Sequence, residues 1–219
     1  MPVTEFAILP LKHPLTENST SPPALLQKLQ IAREVLEEAS KYKFYYFQQI
    51  EDPSTMYIIG KWDSPEAHYT FLASPENQKL LELFKEDIYI EETNGKIMQM
   101  WHLDDDVFAV PSGAEWVFTA PVISCNRHFV LKENKPSFIE KFNEVRGLLE
   151  KYTKPYGVVG GWRIETEDEE KEEWVLFSGF ESVDHHMEFA KTDGFVKYRE
   201  IVGFVSAFEL KHLRAVVGL

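Results

Sequence analysis

Two histidines occupy matching places in this chain of 219 residues. His68 lies in GKWDSPEAHYTFLASPEN, residues 60–77, and His186 in SGFESVDHHMEFAKTDGF, residues 178–195. Both stretches run aromatic, acid, Ser, then His, then an aromatic three positions on. The interval from Trp62 to Phe180 equals that from His68 to His186. On a helix Ala67, Phe71 and Leu72 sit beside His68, and Phe189 and Ala190 follow His186 by three and four, so both imidazoles can look toward a sheet. A neutral imidazole lining a pocket can act as a general base or donate a hydrogen bond to a substrate oxygen. The blander reading is an interior histidine that bonds a backbone carbonyl and locks the junction. Its presence in both copies favours that reading, because duplicated halves rarely both keep a working site.

A second polar group stands in SCNRHFVLK. Asn126 and His128 alternate onto one face of a strand, and Cys125 and Arg127 onto the other. Such residues need partners when a strand is buried on both faces. The equivalent stretch of the first half, EFAILPLK, reads as apolar throughout. That asymmetry points to the second half as the working one, with Arg127 or His128 on substrate. Otherwise Arg127 pairs a carboxylate and His128 is half-exposed. In GVVGGWRIE the glycines at 157, 160 and 161 beside Trp162 and Arg163 admit a ligand or another backbone, or mark a β-bulge. The catalytic candidates are therefore His186, His128 and His68. The substrate-binding candidates are Arg127, Asn126, Trp162, Arg163, Phe189 and Tyr46. Trp101-His102, Trp116, Tyr45 and Tyr46 itself read more as core than as pocket.

Several chemistries lack support. The formal charge of −13 opposes nucleic acid and an anionic membrane surface. The single Cys125 allows no internal disulfide and suits a reducing compartment. No leader and no uninterrupted apolar run long enough to span a bilayer is legible, so a cytoplasmic protein is expected. His185 and His186 diverge on a helix and share no ion easily, so no metal is expected. A haem on His68 or His186 has no pattern of its own, and no cofactor is expected. No G-x-S-x-G supports a serine nucleophile.

The elements that must position these residues follow from periodicity. Thr4–Lys12 reads as a strand and Leu11–Pro23 as a loop. Ala24–Lys41 carries apolar residues at helical spacing. Lys43–Glu51 and Thr55–Trp62 form a hairpin, a helix capped by Asp63 or Ser64 runs from Pro65 to about Phe84 with a break near Ser74-Pro75, and Ile97–Leu103 is a last strand. The order repeats: strand Ser124–Lys132, helix Pro136–Tyr152, hairpin Tyr156–Glu165 and Trp174–Phe180 around the acidic ETEDEEKEE, helix Ser182–Val202, strand Ser206–Leu213. The reading is α+β, two βαββαβ ferredoxin-like units, residues 1–103 and 122–219, joined by 104–121. Aromatics on both strand faces suggest that the two sheets pack face to face.

Gly60-Lys61-Trp62-Asp63-Ser64-Pro65-Glu66-Ala67-His68 and Phe71-Leu72-Ala73-Ser74-Pro75 resemble the dimeric α/β-barrel superfamily, in its antibiotic-biosynthesis-monooxygenase-like branch. The second copy keeps the junction as Phe180-Glu181-Ser182-Val183-Asp184 and departs at Thr192-Asp193. The whole is similar to tandem proteins of this kind found in fungi. The resemblance implies an intramolecular barrel with a pocket between sheet and helices. It also implies cofactor-independent chemistry on a hydrophobic or aromatic small molecule: monooxygenase, cyclase, isomerase or decarboxylase. The alternative is a non-catalytic ligand-binding barrel. Association of two chains is left open.

Overall fold

The computed structural model describes residues 2–14, 23–110, 112–217 and 219. Most of the loop expected over Leu11–Pro23 lies outside the described residues. The chain divides into two compact units, residues 1–103 with 214–219, and residues 104–213.

The first unit runs β1 (Val3–Pro10), α1 (Pro23–Ser40), β2 (Tyr45–Gln49), β3 (Thr55–Trp62), α2 (Pro65–Leu72), α3 (Pro75–Phe84) and β4 (Gln99–Leu103). Its strands lie in the order β4-β1-β3-β2, all antiparallel. This is the ferredoxin-like order. Leu25, Leu29, Ala32 and Leu36 form the buried stripe of α1. The expected break in the following helix is real. Ser64 caps α2 by accepting from the Ala67 N–H, and Ser74 caps α3 by accepting from the Asn77 N–H. A proline at the first turn of each has no N–H to leave unpaired.

The second unit repeats the plan: β5 (Val122–Leu131), α4 (Lys135–Tyr152), β6 (Val158–Trp162), β7 (Lys171–Phe180), α5 (Val183–Phe189), α6 (Asp193–Tyr198) and β8 (Ala207–Ala215), in the order β8-β5-β7-β6. The helix read as continuous over Ser182–Val202 is broken like its counterpart. Ser182 caps α5, and Thr192 caps α6 by accepting from the Phe195 N–H. Thr192-Asp193 thus does in the second copy what Ser74-Pro75 does in the first, since either hydroxyl satisfies a first-turn donor.

The glycines of β6 do not make a bulge. Val158–Trp162 pairs with β7 residue by residue. A Cβ on Gly160 would stand 2.6 Å from the Val175 carbonyl and 2.9 Å from the Trp174 ring. Glycine is there because another backbone and an indole approach closely.

Candidate active site

Alternation along β1 sends Glu5, Ala7 and Leu9 to one face, where α1, α2 and α3 cover them. Between strands and helices lies a cavity of about 180 Å³. Its wall is apolar apart from Glu5, Tyr46, His68 and Asn77.

Two of these polar groups, Glu5 and His68, form a connected set with Trp62 and His102. The Trp62 indole N–H donates to Glu5 Oε2 at 2.6 Å. His68 Nε2 stands 3.5 Å from the same oxygen, and His68 Nδ1 meets His102 Nε2 at 2.9 Å. The His68 ring stacks on Trp62, centroids 4.3 Å apart and planes 7° from parallel. When His68 carries its proton on Nε2, facing Glu5, its Nδ1 accepts from His102. Glu5, His68 and His102 are all buried. Loss of water, which penalises the charged form, pushes the Glu5 carboxyl from 4.5 to about 7. The indole bond and nearby His102 pull the other way. Tyr46 faces the same cavity. Its hydroxyl is buried without a hydrogen-bond partner among the described residues. Burial and the nearby Glu5 carboxylate raise its pKa further above the phenolic range.

The second unit keeps half of this arrangement. His186 Nδ1 meets His212 Nε2 at 2.8 Å, and Phe180 stacks on the His186 ring at 4.3 Å. Glu5 pairs across the ladders with Gly60 and His102. The residue that pairs with Ser178 and His212 is Ser124. By the same registers Phe180 stands where Trp62 stands, and Gly160, opposite Leu176, stands where Tyr46 stands, opposite Ile58. The carboxylate, the indole donor and the phenol belong to the first unit alone. Burial and the neighbouring His212 and His185 lower the His186 pKa to about 4.

The other candidates of the second unit are placed apart. Asn126 donates to Ser124 Oγ at 2.7 Å. His128 is buried, not half-exposed; its Nδ1 has no partner and desolvation lowers its pKa to about 4. Arg127 grips Glu173 at 2.5 and 3.1 Å and reaches Glu209 at 3.0 Å. Arg163 meets the same Glu173 at 3.3 Å. Phe189 packs on Tyr152 and Tyr198. Trp162 lies under the Lys135 ammonium at 4.3 Å and borders two clefts of this unit, one of which Arg163 also borders. Neither cleft is bordered by His186, His128, Asn126, Arg127 or Phe189. The structure therefore joins His68 and Tyr46 at one cavity and distributes the second-unit residues among separate contacts.

The reading of β1 as apolar throughout needs correction. Glu5 sits inside it, on the same alternation face as Ala7 and Leu9, and that parity was the available signal. His102 carried none beyond its aromatic neighbour Trp101. Among the described residues, no group of three His, Cys, Asp or Glu side chains is placed to hold a metal ion. Nor, among them, is any helix long and apolar enough to cross a membrane.

No protein-family model matches the chain, and no curated protein does. Solved structures do. An anthrone oxidase-like protein is similar over 98% of this chain and 91% of its own, with TM-score 0.68 and 10% identity. A provisionally named monooxygenase from Lactobacillus acidophilus NCFM matches over 98% and 93%, with TM-score 0.60 and 13% identity. A chlorite dismutase from Candidatus Nitrospira defluvii matches over 97% and 90%, with TM-score 0.52 and 10% identity. At these identities the likeness shows the fold alone: α+β, built from ferredoxin-like units.

Proposed function

We propose that the chain is a cofactor-independent enzyme of the monooxygenase type. Its substrate is a hydrophobic small molecule with an acidic C–H or O–H, an enolisable ketone or a phenol, held in the first-unit cavity. One observation carries this reading: a mostly apolar chamber whose wall holds a buried acid–base set, Glu5 and His68, beside the unpartnered Tyr46 hydroxyl. The pocket histidine of the reaction is then His68, supported from behind by His102. Removing a proton from such a compound makes an electron-rich carbanion or phenolate that reacts directly with dioxygen. For a methylene beside a ring, the C–H electrons reduce O₂. One oxygen atom becomes the new carbonyl, and the other leaves as water with the two hydrogens. The protein's share is to take the proton, hold the anion and keep the site dry. Names among the structural relatives, a monooxygenase and an anthrone oxidase-like protein, support an oxygen-using reaction of this class.

The test is aerobic incubation with a panel of small phenols and enolisable ketones, read by mass spectrometry for products that gain one oxygen and lose two hydrogens. Wild type should turn over at least one of them, and His68→Ala should lose roughly a hundredfold or more of that rate. Loss in His186→Ala with His68→Ala active would move the site to the second unit. Saturable binding without turnover of any compound would make the chain a ligand-binding protein instead.

A further inference from the structure

Resting on that reading, we propose that Glu5 takes the substrate proton, and that the chamber accepts a one- or two-ring ketone or phenol whose oxygen accepts a hydrogen bond from Tyr46.

The histidine is poorly placed for the proton itself. Both nitrogens of His68 are engaged, Nδ1 with His102 and Nε2 with Glu5. With its proton on Nε2, facing Glu5, and Nδ1 accepting from His102, this imidazole offers no lone pair to a ligand. Glu5 differs. Trp62 and His68 both meet its Oε2, so Oε1 is the oxygen left for a ligand in the chamber that Glu5 lines. A carboxyl near 7 populates both forms at neutral pH, as a group that takes and returns a proton must.

Tyr46 supplies the other half. A buried hydroxyl without a partner is costly and uncommon, and a ligand oxygen would satisfy it. When Glu5 takes a proton from carbon, the C–H bond breaks and an O–H bond forms on the carboxylate. The electron pair moves onto the ketone oxygen, where the Tyr46 O–H stabilises the enolate.

Comparison of the two units separates frame from function. Both keep the stacked, paired histidines. Only the first has Glu5, Trp62 and Tyr46, where the second has Ser124, Phe180 and Gly160. The shared pair fixes the strand-to-helix junction; the unshared trio makes a site. Size sets the substrate class, since a dry cavity of roughly 150 Å³ holds benzene. About 180 Å³ suits one ring, or two with little slack.

The experiment is hydrogen–deuterium exchange at C1 of 2-tetralone in D₂O without oxygen, followed by NMR. Wild type should accelerate exchange over buffer. Glu5→Gln, which still accepts from Trp62, should lose roughly a hundredfold or more, and Tyr46→Phe tenfold or more. Glu5→Asp should recover part of the rate, and near-ultraviolet circular dichroism should show all variants folded. Exchange in Glu5→Gln within threefold of wild type would overturn the inference. So would exchange abolished by His68→Ala but retained by Glu5→Gln, which would leave the proposed oxygenation standing. No acceleration by wild type would also overturn it, while aerobic turnover of another compound would still uphold the function.

Discussion

Glu5 Oε2 lies 3.5 Å from His68 Nε2, with both side chains shut off from water and a cavity beside them. A carboxyl and an imidazole so close, inside an otherwise apolar wall, bring consequences for stability, titration and binding.

The first concerns stability against pH. The folded-state pKa of Glu5, about 7, exceeds its ordinary 4.5. Folding therefore favours the neutral acid. That contribution is complete below about 4.5, shrinks as pH rises through about 7, and is lost above it. The gap corresponds to roughly 3 kcal/mol. Glu5→Gln should match wild type near pH 4 and exceed it by roughly 2–3 kcal/mol near pH 8, in urea unfolding. Parallel stability curves for the two proteins would show that Glu5 titrates normally.

The second concerns the indole. The Trp62 N–H stabilises the Glu5 carboxylate and so holds its pKa down. Trp62→Phe, which copies Phe180 of the second unit, removes that donor. A hydrogen bond to a charged group is worth roughly 1.5–3 kcal/mol. The rising limb of the pH–rate profile should therefore move upward by roughly one to two units. An unmoved limb would mean that another group sets it.

The third separates ligand binding from folding at Tyr46. Its hydroxyl has no partner among the described residues, so Tyr46→Phe removes an unsatisfied buried group. The ligand-free variant should be as stable as wild type or more so, by up to roughly 1 kcal/mol. Its affinity for 2-naphthol, measured by calorimetry, should fall about tenfold. A clear loss of stability in the free protein would show that the hydroxyl serves the fold.

The fourth concerns the arginines of the second unit. Arg127 and Arg163 converge on Glu173, which is only 5% exposed. Glu173→Gln leaves two guanidinium groups short of a buried counter-charge and should cost roughly 3 kcal/mol of stability. Rates per folded molecule should not change. A drop in kcat/KM without a drop in stability would give these arginines a part in the chemistry.

Much of this molecule is local and was therefore legible in the chain. The helix start near Ser64, the break near Ser74-Pro75, the helix start near Ser182 and alternation in the strands are short-range matters, and they define two βαββαβ units. The doubled histidine was equally plain. Its meaning was not, because His68 and His186 sit in matching junctions and the difference lies in what the other strands of each unit bring. Residues far apart along the chain, Glu5, Tyr46, Trp62 and His102, meet through sheet register. A shift of one residue in β1 would turn Glu5 to the other face. Likewise the sequence left Arg127 between a substrate and a carboxylate partner until the register of β5 and β7 brought Glu173 within its reach. The sequence by itself determined the elements and their repetition. Only the tertiary structure decided which copy holds a carboxylate against its histidine, because desolvation and ladder partners are properties of the folded chain.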